Sequence, residues 1–182
     1  MNLGETYVLD GIDRQLLDAL QTDSKRSLKE IGAAVGLSAP SVMERVRKLE
    51  NAGVIRGYHA LLDARKVGLD TSAFIGVSVS NPRQISAFEV WVESIPQVLE
   101  CHHVTGGHTL LLKVKTQNTA DLEKLISRIR SMDGVAGTET MVVLSTHTER
   151  VEVALPPCEP ESETRRRKRP RRKADQATSR PS

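Results

Sequence analysis

Apolar positions recur along this chain with two different periods, and the change of period divides it. Between residues 12 and 49 the spacing is helical: Ile12, Leu16, Leu17 and Leu20 form one stripe, and Leu28, Ile31 and Val35 a second. Val42, Val46 and Leu49, at i, i+4 and i+7, form a third. The first stripe predicts a helix over about residues 13–22. The other two predict short helices on either side of Gly36-Leu37-Ser38, and residues 54–62 read as extended chain, a wing or linker strand. From Thr71 the pattern changes. Residues 74–80 are rich in β-branched side chains and end at Asn81-Pro82. A helix to about Ile95 follows, carried by Ile85, Phe88, Val92 and Ile95 and stopped by Pro96. Two strands, 98–105 and 109–115, flank Gly106-Gly107-His108, a hairpin signal. Asn118 caps a further helix with Leu122, Leu125, Ile126 and Ile129 on its buried face; Asp133-Gly134 ends it, and 138–144 is a last strand.

The second half therefore has the order β-α-β-β-α-β, the ferredoxin-like split βαβ arrangement. In the first half, three residues between two helices are too few for side-by-side packing, so the helices cross steeply. That is helix-turn-helix geometry, in which the second helix enters the DNA major groove. Local chemistry agrees with these boundaries. Ser27 and Glu30 fit a capping box, Ser38 fits an N-cap with Ala39 and Pro40 in the first turn, and Gly53 suits a left-handed stop. The fold class is α+β: a winged helix-turn-helix followed by a ferredoxin-like domain.

With Val42, Val46 and Leu49 turned inward, Ser41, Arg45 and Lys48 form an outward stripe flanked by Arg47. Ser38, Pro40 and Ser41 lead into the groove, Arg45 contacts a base edge or a phosphate, and Arg47 and Lys48 suit phosphates. Glu44 is the one opposing charge, placed to orient a neighbouring arginine. The plain alternative is a solvated basic face.

Charge distribution favours the DNA reading. The net charge of +3 conceals four blocks: −4 over residues 1–23, +5 over 24–66, −3 over 67–155 and +5 over 156–182. Positive charge thus sits on the candidate reader and the tail of an otherwise acidic chain, the footprint of a polyanion partner. From Pro156 onward apolar residues nearly vanish, which predicts a disordered tail. Within it, residues 165–173 hold eight cations in nine positions, able to neutralise phosphates without sequence preference. A solubilising appendage, or an RNA or acidic partner, are the alternatives for that segment.

Composition closes off other classes. Hydrophobic residues make up 38% of the chain and aromatics 3%, so each core must be mostly aliphatic. No run approaches the roughly 20 apolar residues of a membrane span, and no signal peptide is evident, so a cytoplasmic, nucleoid-associated location is expected. Cys101 and Cys158 are the only cysteines, and no disulfide between them is expected. Glu100-Cys101-His102-His103 with His108 suggests a metal site, but strand alternation sends Cys101 and His103 to one side and Glu100 and His102 to the other. Neither metal nor cofactor is expected. Trp91 adjoins its helix's apolar stripe and reads as packing. No phosphate loop, paired catalytic carboxylates or activated nucleophile appears, so no enzymatic activity is expected.

Three stretches carry a specific resemblance: IDRQLLDALQTDSKRSLKEIGAAVGLS, VMERVRKLENAGVIRGYHALLD, and ECHHVTG with LLLKVKT. In order and spacing over about residues 10–150 the chain resembles the Lrp/AsnC, or feast/famine, transcriptional regulators. The resemblance implies a DNA-binding domain with linker strand over 1–62, a connector over 63–70, a regulatory and dimerisation domain over 71–155 and the tail over 156–182. It further implies double-stranded DNA as partner, dimers through sheet-to-sheet packing that often assemble into octamers, and an amino-acid or related effector between regulatory domains. The effector positions implied are Val104, Gly106, Gly107, His108 and Thr109. Here the chain departs from the family. Where Gly-Asp-x-Asp is usual, it reads Gly106-Gly107-His108-Thr109, without either carboxylate. A carboxylate can accept from a ligand ammonium group, whereas glycine offers only backbone, so an altered effector or none is expected. Two alternatives remain at this stage. One is an architectural, nucleoid-compacting DNA binder with little effector response. The other is a haem-pathway decarboxylase-like enzyme, disfavoured because only His59 follows Val54-Ile55-Arg56 where those enzymes are basic and histidine-rich.

Overall fold

The computed structural model of the chain describes residues 7–156. They fall into two compact units: residues 7–58 together with 150–156, and residues 59–149.

In the first unit α1 is Gly11–Thr22, α2 Leu28–Val35 and α3 Ala39–Asn51. Leu16, Ile31, Val42 and Val46 form its core, joined from the rim by Ile12, Leu20 and Ile55. Each of the three sequence stripes therefore points inward. Burying a Leu, Ile or Val side chain is worth about 1.5–3 kcal/mol, so this small aliphatic cluster holds the unit together. The capping box of α2 is formed, with Glu30 N–H donating to Ser27 Oγ at 3.3 Å and Ser27 N–H to Glu30 Oε2 at 2.8 Å. Glu30 is correspondingly held below its ordinary carboxylate pKa by the bonds from Ser27. Gly36 ends α2 at φ 71° and Gly53 follows α3 at φ 70°, the left-handed turns expected of them.

Two expectations for this unit need correction. Helix α1 starts at Gly11, ahead of the stripe, because Asp10 and Asp13 make a second capping box. And residues 54–62 form no strand. Their β-branched residues favour extended chain, but a strand is made by its partner, and none of the described strands pairs with them. Instead Val54 and Ile55 N–H both donate to Leu49 O, folding the chain back on the end of α3.

The second unit is a four-stranded sheet with two helices. Its elements are β1 Thr71–Val79, α4 Ile85–Glu93, β2 Val98–His103, β3 Leu110–Thr116, α5 Thr119–Arg130 and β4 Val135–Val142. The order across the sheet is β2-β3-β1-β4, and every pairing is antiparallel. This is the ferredoxin-like arrangement expected. Ala73, Ile75 and Val77 of β1 and Leu110, Leu112 and Val114 of β3 face α4 and α5, meeting Phe88, Val92, Leu125 and Ile129. The alternate positions Phe74, Leu111 and Met141 lie on the opposite face, away from α4 and α5 of this unit. Strand β4 begins at Val135, three residues ahead of the expected start, because a shift of register at Ser78/Val79 lets it pair earlier.

Candidate DNA-reading helix and ligand loop

Helix α3 begins on the serine predicted to cap it. Ser38 Oγ accepts from Ser41 N–H at 3.4 Å, and the two hydroxyls lie 2.8 Å apart. The turn before it depends on a residue that periodicity did not single out. A Cβ on Gly32 would stand 2.5 Å from the carbonyl oxygen of Leu37, so only glycine lets α2 approach the turn this closely. The sole sequence signal was a glycine inside a helical stripe.

Val42 and Leu49 are fully buried and Val46 nearly so. Ser38, Pro40, Arg47 and Lys48 are exposed, with Ser41 partly so. The predicted groove-facing residues therefore share the face opposite the core. Lys48 pairs with Glu44 one turn away at 2.8 Å, which raises the lysine pKa and lowers that of the glutamate. Among the described residues Arg47 makes no ion pair.

Arg45 is placed differently from its neighbours. Its Nη1 donates to Asp10 Oδ2 and to Asp13 Oδ1, both at 2.7 Å. Asp13 is buried, and Arg45 itself is about one-third exposed. These bonds raise the pKa of Arg45, the larger contribution coming from Asp10. Asp10 is lowered first by the N–H it receives from Asp13 and then by Arg45. Part of the fork expected to meet DNA thus ties α3 to the start of α1. Glu44, expected to orient an arginine, holds Lys48 instead.

In the second unit the five predicted effector positions lie together where β2 turns into β3. Val104 N–H donates to Thr109 O at 3.2 Å and Thr109 N–H to Val77 O at 2.9 Å. The Thr109 hydroxyl accepts from Val79 N–H at 3.1 Å, so it serves the backbone. Gly106 sits at φ 115°, in the region that favours glycine. The His108 ring lies over Gly76 so closely that a Cβ there would be 2.4 Å from it. One ring nitrogen, Nε2, is 3.0 Å from Glu139 Oε2, and the other, Nδ1, is 3.4 Å from Ser78 Oγ. Gly76, Ser78 and Glu139 surround His108 of this loop and were not foreseen. Glu139 arrives through the pairing of β4 with β1, where it stands opposite Gly76.

The Glu100–His103 stretch keeps its alternation: Glu100 and His102 join across one face at 3.0 Å, while Lys113 binds Glu100 at 3.1 Å. Burial, helped by the charges of Glu89 and Glu93, pushes the Cys101 thiol up and so keeps it protonated. Among the described residues no group of three potential metal ligands converges. No helix among them is long and apolar enough to cross a membrane.

A helix-turn-helix with a basic second helix, on the same chain as a four-stranded α+β domain, defines the class of two-domain transcriptional regulators. Comparison with known proteins gives the family. The AsnC-type helix-turn-helix domain matches residues 9–50, and the Lrp/AsnC ligand binding domain matches residues 72–153. The HTH-type transcriptional regulator FL11 of Pyrococcus horikoshii is 35% identical over 147 residues, covering 81% of this chain and 97% of that protein. Among solved structures, the feast or famine regulatory protein of Mycobacterium tuberculosis complexed with L-methionine superposes with a TM-score of 0.75 at 34% identity. That match covers 80% of this chain and 99% of that one. Escherichia coli AsnC matches with a TM-score of 0.75 at 28% identity and the same coverage of each chain. The chain belongs to the Lrp/AsnC family of transcriptional regulators.

Proposed function

We propose that this regulator binds double-stranded DNA through α3, as a homodimer joined by the uncovered sheet face. The observation that carries the reading is the division of α3. Val42, Val46 and Leu49 are buried, while Ser38, Pro40, Ser41, Arg47 and Lys48 lie on the other side behind a glycine turn. The serines lead toward base edges and Arg47 and Lys48 toward phosphates. Arg45 acts through Asp10 and Asp13 by fixing the angle of α3. Fluorescence anisotropy with a promoter fragment tests this. Arg47→Ala should weaken binding to all sequences alike and lower the salt slope by about 1. Ser41→Ala should change the preferred bases. Wild-type binding by both variants would remove α3 from the interface. A DNA-binding regulator of this kind works on the chromosome, which supports a cytoplasmic, nucleoid-associated location and a binding rather than a catalytic role.

The ligand loop supports an unusual effector response. A neighbouring structure is a complex with L-methionine. In this chain Gly107 and Thr109 offer no carboxylate, and the acidic group at hand is Glu139, engaged with His108. The effector, if an amino acid, therefore meets a histidine–glutamate pair in place of two loop aspartates. Calorimetric titration with the common amino acids tests this: tight, ordinary binding of leucine or asparagine would overturn it. The same loop, with the basic tail, favours the second reading, an architectural binder with little effector response, which that titration also addresses.

A further inference from the structure

In the middle turn of α3, Val42 and Val46 turn into the core and leave Met43, Glu44 and Arg45 outside it. Two of those three side chains are engaged within the protein. Arg45 Nη1 donates to Asp10 and Asp13, and Glu44 faces Lys48 at 2.8 Å. Met43 is 41% exposed, and no other Leu, Ile, Val, Met or aromatic side chain of α3 is left exposed. A single exposed methionine is ordinary on a protein surface. Its position is what gives it meaning. Residues three and four apart are neighbours on a helix, so Met43 stands in one row with Pro40 before it and Arg47 after it. With α3 in the groove, Pro40 leads toward the bases and Arg47 toward the phosphates, and Met43 falls between them.

A thioether chain has no hydrogen-bond donor and only a weak acceptor, so it cannot follow the donor and acceptor pattern of the base edges. What the major groove presents to an apolar side chain is the C5-methyl group of thymine. We propose that Met43 reads thymine, packing its side chain against that methyl at one position of each half-site. The inference rests on α3 entering the groove. Methionine suits the contact, because its flexible, polarisable chain adapts to irregular surfaces. Its neighbours leave the choice to it. Ser38 and Ser41 carry hydroxyls that can both donate and accept, which discriminate weakly among bases, and Arg45 is held by Asp10 and Asp13. An apolar contact at a thymine gives the helix a preference that its serines lack.

The test uses the full-length protein and a duplex site selected with it, in which thymines are exchanged for deoxyuridine one symmetric pair at a time. The exchange deletes the methyl and leaves every hydrogen-bonding edge in place. Burying one methyl-sized group is worth about fourfold in affinity, so at one pair of positions wild type should bind about 15-fold more weakly, counting both half-sites. Met43→Ala should bind the thymine and deoxyuridine duplexes of that pair equally. Alanine is the strongest helix former and the position is exposed, so this variant keeps α3 intact. Met43→Leu, still apolar, should keep the discrimination. Equal binding of every deoxyuridine duplex by wild type overturns the proposal. So does discrimination that survives in Met43→Ala or disappears in Met43→Leu. Failure of the α3 reading looks different: Arg47→Ala and Ser41→Ala would then bind as wild type too, on thymine and deoxyuridine duplexes alike.

Discussion

Arg45 Nη1 and Asp13 Oδ1 lie 2.7 Å apart, and this contact joins the reading helix to the helix before it. Asp13 is the buried member, so removing its partner leaves a desolvated carboxylate with only the Asp10 N–H bond, at 3.3 Å, for company. Arg45→Ala should destabilise the chain by about 1–3 kcal/mol in urea unfolding. Its DNA affinity should fall while its ranking of DNA sequences stays as in wild type. A change of preferred bases without loss of stability would instead make Arg45 a direct reader.

Acid should loosen the same contact. Asp10 has a folded-state pKa below its ordinary 3.8, through the Asp13 N–H first and Arg45 next. A lowered pKa means stability that is present above the unfolded value and is lost as pH falls through the folded one. Arg45 is raised and stays charged throughout. Thermal melts should therefore show a steeper loss below about pH 4 in wild type than in Asp10→Asn. Parallel acid limbs would contradict the assignment.

Gly32→Ala should be costly although alanine favours helices. The added methyl meets the Leu37 carbonyl oxygen, which is backbone and cannot swing aside. Overpacking of this kind costs about 1–3 kcal/mol, and here it shifts the turn that aims α3. Circular dichroism melting together with DNA affinity checks it. Unchanged values of both would mean the turn relaxes freely.

The uncovered sheet face should be the dimer contact. Phe74 pairs across the ladder with Met141, which is 46% exposed, and Gly76 pairs with Leu111. Leu111→Asp places a charge among these side chains and should halve the mass seen by light scattering. A dimer that persists would move the interface elsewhere.

Much of this was written locally in the chain. Ser27 with Glu30, Ser38 and Asn118 each announced a helix start, because a cap and its partner lie within three residues. The alternating burial of Leu110, Leu112 and Val114 was equally plain, since a strand with one covered face must alternate. What escaped was set by contacts between distant residues. Arg45 meets Asp13 across 32 positions, and Glu139 meets His108 across 31. No periodicity carries such a pairing. Residues 54–62 failed for a related reason: their composition suits a strand, but pairing is set by a distant partner, and none of the described strands takes them up.

Whether α3 selects DNA by sequence is decided by selection from a random pool of duplexes with the full-length protein. A two-fold-related site should be enriched, its halves spaced by whole helical turns of about 10–10.5 base pairs. With Ser41→Ala the enriched bases should change at matching positions in both halves. A pool that comes through with no enriched sequence, bound equally by wild type and variant, would contradict it.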